Sequence, residues 1–326
     1  MSNTTIVTKA TVKSALDDMG ISVRLNKISG KMEVSGNKAI GADVINRIKS
    51  DPADLLSTLL RDHFNGSGLT NSRRAIKAHL AVIADENRYN PVQKFLDETA
   101  RDGQDHISAL LDQAMGLKAQ PDKDTVKRWL LQTMAMAFNG EDNGNSNPDD
   151  GRDAEGKRLH SADGLLVLVG PQGCGKTLLL SKLAVKSSLF HAGDVINVHD
   201  RNNVIENTSY WINELSDVDH LSSIQRAFIT KAQDTYRPRY AKFAIDKPRR
   251  TSFCAGVTKV PEELGRRLWV VDASNFDLKR IQGIDKAWIK QLWKQVYEEL
   301  YLPNPEGFYS IPTGTVSTEG AEDNAN

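Results

Sequence analysis

Cysteine, long apolar runs and an excess of charge of either sign are all missing from this chain of 326 residues. Two cysteines, Cys174 and Cys254, are too few for a disulfide framework and suit a reducing, cytoplasmic compartment. Met1–Gly20 has no apolar stretch of signal-peptide length, and the run Leu165–Val169 is far too short to cross a bilayer, so no membrane role is expected. The formal net charge is zero, so the whole chain is not a polycation drawn to nucleic acid, and any such attraction must come from local clustering. No internal repeat is visible. What remains is an ordinary soluble composition, 39% hydrophobic and 26% charged, long enough for one large or two modest domains.

Apolar spacing divides the chain into four stretches. Residues 1–139 read as mainly helical: helices over Thr8–Met19, Ile40–Ile48, Pro52–Phe64, Ser72–Glu86 and Thr125–Phe138, with helical character at Val92–Leu96 and Ile107–Leu111. One small hairpin interrupts them, Ile21–Leu25 with Lys31–Val34, turning near Gly30. Residues 140–164 hold Asn-Gly, Asn-Pro and Asp-Asp pairs and read as a flexible linker. From 165 to 312 strands alternate with helices: strands at Leu165–Val169, Val195–Val198, Tyr210–Ile212, Ser252–Val257 and Leu268–Val271, helices at Thr177–Ser187, Val218–Lys231 and Asp285–Leu300. That alternation predicts an α/β fold, a parallel sheet with flanking helices. The polar tail 313–326 is expected to be disordered.

One motif carries most of the chemistry. Gly170-Pro171-Gln172-Gly173-Cys174-Gly175-Lys176-Thr177 follows a predicted strand and opens a predicted helix, the setting that a phosphate-binding loop requires. Its glycines allow the backbone N–H groups to face phosphates, and the helix beginning there adds its positive end. Lys176 is placed to reach the β- and γ-phosphates, and the Thr177 hydroxyl to ligate Mg²⁺. ATP and Mg²⁺ are the implied cofactors. A second signal is Tyr210-Trp211-Ile212-Asn213-Glu214-Leu215-Ser216-Asp217, a strand ending in acids downstream of the loop, where a Walker B acid belongs. Glu214 is the first candidate for holding the metal or polarising water. Asp217 is either a second acid or a helix N-terminal residue. A third signal lies between Arg226 and Arg267, where eleven Lys and Arg face four Asp and Glu. Arginines there can neutralise a phosphoryl-transfer transition state or hold nucleic-acid phosphates, though most such runs are merely solvated. Lys242 and Lys247 are the DNA-binding candidates.

Taken in order, these segments resemble the virulence-associated protein E family, phage and mobile-island proteins related to superfamily-three helicases and to the helicase part of primase-helicases. Tyr236-Arg237-Pro238-Arg239-Tyr240, Pro248-Arg249-Arg250, Arg266-Arg267-Leu268-Trp269-Val270-Val271 and Gln291-Leu292-Trp293 add to the likeness, as do Asn90–Leu96 and Asp102-Gly103. The resemblance implies a RecA- or AAA+-like P-loop ATPase that assembles into a homo-oligomeric ring and translocates on DNA, in the cytoplasm of a bacterial host. It carries over Lys176 and Thr177 as nucleotide and Mg²⁺ contacts, Glu214 as Walker B acid, and Arg266 and Arg267 as arginine-finger or sensor residues. The chain departs from the family in three places. Lys259 stands where an Asn is usual, the stretch before Arg266 is short, and Arg101 replaces a tryptophan. A DNA helicase is the first functional reading. Alternatives are a nucleotide-regulated protein that binds DNA or a host protein without unwinding, and a small-molecule kinase.

Overall fold

The computed structural model describes residues 5–36, 52–65, 69–70, 72–141, 159–193, 196–236, 245–262 and 265–303. They fall into two compact units, 1–94 and 95–326.

In the first unit, β1 (Thr5–Ile6) pairs in parallel with β4 (Leu69–Thr70). The expected hairpin forms from β2 (Ile21–Leu25) and β3 (Met32–Gly36), antiparallel, with Val23 opposite Val34. The Asn26 side chain closes its turn by accepting the Ile28 and Ser29 N–H groups. Three helices pack on it: α1 (Lys9–Asp18), α2 (Pro52–Asn65) and α3 (Arg73–Glu86). Their apolar residues recur every three or four positions, as at Ile76, Leu80 and Ile83, and meet Val12, Leu16, Val23, Leu56 and Leu60 in one core. The region is thus mixed helix and strand, since the parallel pair escaped the apolar pattern. The helix expected at 40–48 lies outside the described residues.

The helix α4 (Pro91–Asp97) spans the division between the units. In the second unit, α5 (His106–Ser108) runs into a π-helical turn, Ala109–Ala114, and α6 (Gln120–Ala137) follows. The sequence reading extended its helical region to 139, yet α6 belongs to the unit of the sheet. The Trp129 indole donates to the Phe253 carbonyl at 2.9 Å, and the Trp211 indole donates to the Thr133 carbonyl of α6 at 2.9 Å. A third buried tryptophan, Trp293, donates to Leu183, so each large ring keeps its polar atom satisfied.

The sheet has five parallel strands in the order β11 (Leu268–Asp272), β5 (Leu165–Val169), β10 (Ser252–Val257), β7 (Ile212–Leu215), β6 (Phe190–Gly193). The α/β expectation therefore holds. Leu165, Val167, Leu215, Phe253, Ala255 and Phe228 build the core on one face. Between the strands run α7 (Lys176–Leu183), α8 (Arg201–Asn207) and α9 (Ser223–Ile229). The antiparallel pair β8 (Gln233–Tyr236) and β9 (Ile245–Pro248) follows α9. After β11 come α10 (Leu278–Gly283) and α11 (Lys286–Gln295), which ends in a π-helical turn.

Several boundaries differ from the sequence reading. The strand expected at 195–198 is instead Phe190–Gly193, and Val198 lies in a turn. The strand expected at 210–212 begins at Ile212 and runs through Glu214. Helix α7 stops at Leu183 rather than Ser187, because Val185 takes a left-handed conformation, φ 64°, that a helix cannot continue. Helix α9 starts late because Ser222 and Gln225 form a capping box. The stretch expected to be a flexible linker is anchored at both ends. Asn139 bonds the carbonyls of His160, Ala232 and Arg249, and Gln132 donates to Gly164. Residues 142–158 and the tail beyond 303 lie outside the described residues.

Candidate functional site

In a parallel sheet every strand's carboxyl end opens on the same edge, where ligands of open α/β folds bind. Here that edge receives the loop leaving β5. The loop turns at Gly173 (φ 81°) and Gly175 (φ 103°), conformations that a side chain would strain, and Gly175 opens α7. This is the motif 170–177, in the strand–loop–helix setting that its spacing predicted. Gly170 donates its N–H to the Val257 carbonyl at 3.1 Å, tying the loop to the neighbouring strand β10.

Lys176 is buried and folds back over its own loop. Its Nζ donates to the carbonyls of Gly170 (2.7 Å) and Pro171 (2.8 Å) and lies 3.7 Å from Cys174 Sγ. Thr177 Oγ1 donates to Glu214 Oε1 at 2.8 Å. The structure thus brings Lys176 and Thr177, at the start of α7, together with Glu214 of β7, an element far along the sequence. Glu214 sits within β7, not beyond its end, and is buried; its second oxygen, Oε2, has no hydrogen-bond partner among the described residues. Burial pushes the Glu214 carboxyl above the ordinary range, opposed by the Thr177 hydrogen bond and the Lys176 charge. An orphaned carboxylate oxygen beside a hydroxyl and a loop of N–H groups fits Mg²⁺ with a nucleoside triphosphate: hard oxygen donors for the ion, amide donors for phosphates.

The sequence reading missed Gly256. A Cβ there would stand 2.9 Å from Glu214 Oε1 and 3.2 Å from Lys176 Cβ. A side chain at that position would crowd both the acid and the stem of the lysine. The signal was available, because a glycine inside an apolar strand marks close approach of another group.

Asp217 is not brought to this cluster among the described contacts. It is exposed, and its side chain accepts the Asp219 N–H in a turn; the helix cap expected of it is supplied by Ser222. Arg266 and Arg267 sit in a turn entering β11, where Leu268 pairs with Leu165. They therefore lie at the amino edge of the sheet. The strand alone separates them from the loop by about 13 Å, four residue steps, farther than an arginine side chain reaches. A sensor role within one subunit does not fit this placement. A contact to a neighbouring subunit's nucleotide does not conflict with it.

Two further arginines of the charged run turn out to be structural. Arg249 is fully buried, paired with Asp234 through both ends of its guanidinium and bonded to the Phe228 carbonyl. Arg250 bonds the Ala137 carbonyl at 3.0 Å and Glu141 at 2.5 Å. Lys247 lies in β9, half-buried; Lys242 lies outside the described residues, as do Arg237 and Arg239. Asp102 and Gln291, both in segments noted for their family resemblance, meet: the Asp102 N–H donates to Gln291 Oε1 at 3.1 Å, docking α11 on the preceding loop. Among the described residues no helix is long and apolar enough to cross a membrane.

The sequence model of the virulence-associated protein E-like domain matches residues 96–310. No curated protein matches the chain. Among solved structures, the A-form apo structure of the NrS-1 C-terminal region aligns at 15% identity over 94% of this chain and 75% of that one, with a TM-score of 0.47. An A-form apo structure of the region 305–718 of NrS-1 aligns at 14% identity over 88% and 68%, with a TM-score of 0.48.

Proposed function

From the premise that this chain belongs to the virulence-associated protein E-like family, we propose that it is a Mg²⁺-dependent ATPase that works on DNA as a helicase, in replication of a phage or other mobile element. The observation that carries the reading is the convergence of Lys176, Thr177 and Glu214. The Thr177–Glu214 contact is 2.8 Å, and Glu214 Oε2 is left unpartnered.

Bound Mg²⁺·ATP supplies the phosphoryl group and neutralises part of its charge. The remaining roles fall to this chain. Lys176 exchanges the Gly170 and Pro171 carbonyls for phosphate oxygens. Thr177 Oγ1 and Glu214 Oε1 would hold the ion, and Glu214 Oε2 would accept a proton from the attacking water. The amide groups around Gly173 and Gly175 cradle the phosphates. DNA meets the subunit through the β8–β9 pair, with Lys242 and Lys247 contacting phosphates. Single-stranded binding then weakens with salt, and replacing both lysines with alanine lowers the slope by about 0.7 per lost contact.

The test is ATP turnover and fork unwinding measured with and without single-stranded DNA. DNA-stimulated turnover with strand separation supports the helicase. DNA binding without unwinding would favour the nucleotide-regulated binding protein instead. Turnover in Lys176→Ala equal to that of the parent would remove the ATPase itself.

A further inference from the structure

We propose that the far end of helix α7 carries a second ligand site, one for a small phosphomonoester on an aromatic or apolar body. The site is separate from the phosphate loop and independent of the ATPase reading above.

A cavity of about 580 Å³ opens between the last turn of α7, the start of β6 and the junction of α10 with α11. That volume lies in the range of small-molecule sites. Its wall begins at Ser181, more than a helical turn beyond Lys176, and includes neither Glu214 nor any residue of the loop 170–177. Val185, Phe190, Ile284 and Ile289 supply its apolar part. Val185 holds there the left-handed conformation, φ 64°, that ends α7. For a β-branched residue this conformation is costly, and such strain persists where the surrounding structure fixes it, often beside a ligand.

Charge supplies the next step. Lys182 near the end of α7, Lys186 in the turn after it and Lys286 at the start of α11 all line this one cavity. Asp285 is the acid among the lining residues, and its Oδ1 accepts the Trp288 N–H at 2.8 Å as the cap of α11. Lys182 donates to the Gln282 and Ile284 carbonyls and so ties the end of α10 to α7. Lys186 and Lys286 are exposed and have no side-chain hydrogen bond or ion pair among the described residues. Cations gathered round a concave apolar wall focus the field there and attract an anion.

The class of anion follows from the count and the type of these groups. Three lysines against one aspartate leave two positive charges. A phosphomonoester carries about −1.5 to −2 at pH 7, whereas a carboxylate or a phosphodiester of DNA carries one. The cations are lysines, point charges that suit a phosphate, and none is an arginine, whose planar fork matches a carboxylate. Inorganic phosphate would meet the charge and leave the apolar wall in water. An aromatic or aliphatic body attached to the phosphate covers both.

The probe is 1-naphthyl phosphate, titrated by calorimetry into the full chain, beside inorganic phosphate and 1-naphthol. Naphthyl phosphate is expected to bind more tightly than either part alone. Changing Lys186→Ala and Lys286→Ala together should weaken it about tenfold or more, the range of a charged hydrogen bond. The melting temperature should not change, because both residues are exposed. Lys176→Ala should leave the probe's affinity as it is. The opposite pattern, loss in Lys176→Ala and none in the double variant, would place the probe on the phosphate loop and overturn the proposal. So would a parent that does not bind naphthyl phosphate, or one that binds inorganic phosphate equally well. A chain that hydrolyses no ATP can still pass this test, so failure here and failure of the ATPase reading are separate results.

Discussion

The two edges of the five-stranded sheet handle buried charge in opposite ways. At the amino edge Arg249 is entirely buried, yet both ends of its guanidinium meet Asp234, and Phe228 offers a carbonyl. Arg250 beside it is held by Glu141 and by the end of α6. At the carboxyl edge Glu214 is buried with one oxygen unpartnered, and Lys176 is satisfied only by carbonyls of its own loop. Buried polar groups are normally paired, and each exception calls for an explanation. The matched edge holds the fold together. The unmatched edge is where the nucleotide and ion of the ATPase proposal would supply the missing partners. Residue type alone does not separate these cases, because arginines of a single charged run fall into both a structural pair and an exposed turn.

The largest effect expected from breaking this contrast is at Glu214. Glu214→Gln keeps the shape and removes the charge, so turnover should fall about 10²- to 10⁴-fold while nucleotide still binds. The same change should stabilise the apoprotein. Burial raises the Glu214 pKa, so between its unfolded and folded values the folded state holds the proton more tightly. Stability contributed by this group is then present at acid pH and lost as pH rises through the raised value. The melting temperature of Glu214→Gln should exceed the parent's at pH 8, and the gap should close as pH falls below the ordinary carboxylate range. A lower melting temperature at pH 8 would mean that the unpartnered oxygen is compensated in a way the contacts do not show.

Asp234→Ala probes the other edge. It strands the Arg249 charge in a fully buried position, and should cost about 3–5 kcal/mol in denaturant unfolding. Replacing both residues with apolar ones of similar volume should recover most of that, since the pair's attraction largely offsets its own desolvation. Gly256→Ala is intermediate. The added methyl meets Glu214 Oε1 at 2.9 Å and Lys176 Cβ at 3.2 Å, so the acid or the lysine stem must shift. Overpacking of this kind costs about 1–3 kcal/mol. Here turnover should fall more than stability does, checked by ATP hydrolysis beside the unfolding midpoint. Loss of stability with full activity would show that the placement of Lys176 and Glu214 is not what Gly256 protects.

Sequence reasoning put Lys176, Thr177 and Glu214 at one edge because the signals there are local. The loop 170–177 is contiguous, its glycines are dictated by backbone conformation, and Glu214 ends an apolar run. The amino edge was harder to read. Arg249 finds Asp234 fifteen positions away through the β8–β9 pairing, and Arg250 finds Glu141 from beyond α6. Nothing in the spacing of charges marks such partners, so the run looked like solvated or phosphate-binding surface. The strand at 190–193 was missed because Phe190-His191-Ala192-Gly193 lacks apolar alternation, and its pairing with β7 decides it instead. Asp217 looked like an acid of the site because the strand was drawn two residues early. With β7 running to Leu215, Glu214 falls inside the strand and Asp217 in the turn beyond.

The smallest effect within one subunit is expected at Arg267. It stands in the turn at the amino edge, partly exposed, with no side-chain hydrogen bond or ion pair among the described residues. Arg267→Ala should change stability by no more than about 0.5 kcal/mol, as exposed substitutions do. Nor should it alter nucleotide binding to an isolated subunit, because the loop of the same chain lies at the opposite edge. An arginine so placed can touch nucleotide only if a head-to-tail assembly sets one subunit's amino edge against the next subunit's carboxyl edge. Mixing separates the two cases. Arg267→Ala subunits keep Lys176, and Lys176→Ala subunits keep Arg267. In an equal mixture about a quarter of head-to-tail junctions unite an intact loop with an intact arginine. Activity should then reappear in the mixture of two inactive variants, in proportion to those junctions. If the variants co-assemble and no activity returns, Arg267 does not act across a subunit boundary, and its exposure is that of an ordinary solvated arginine.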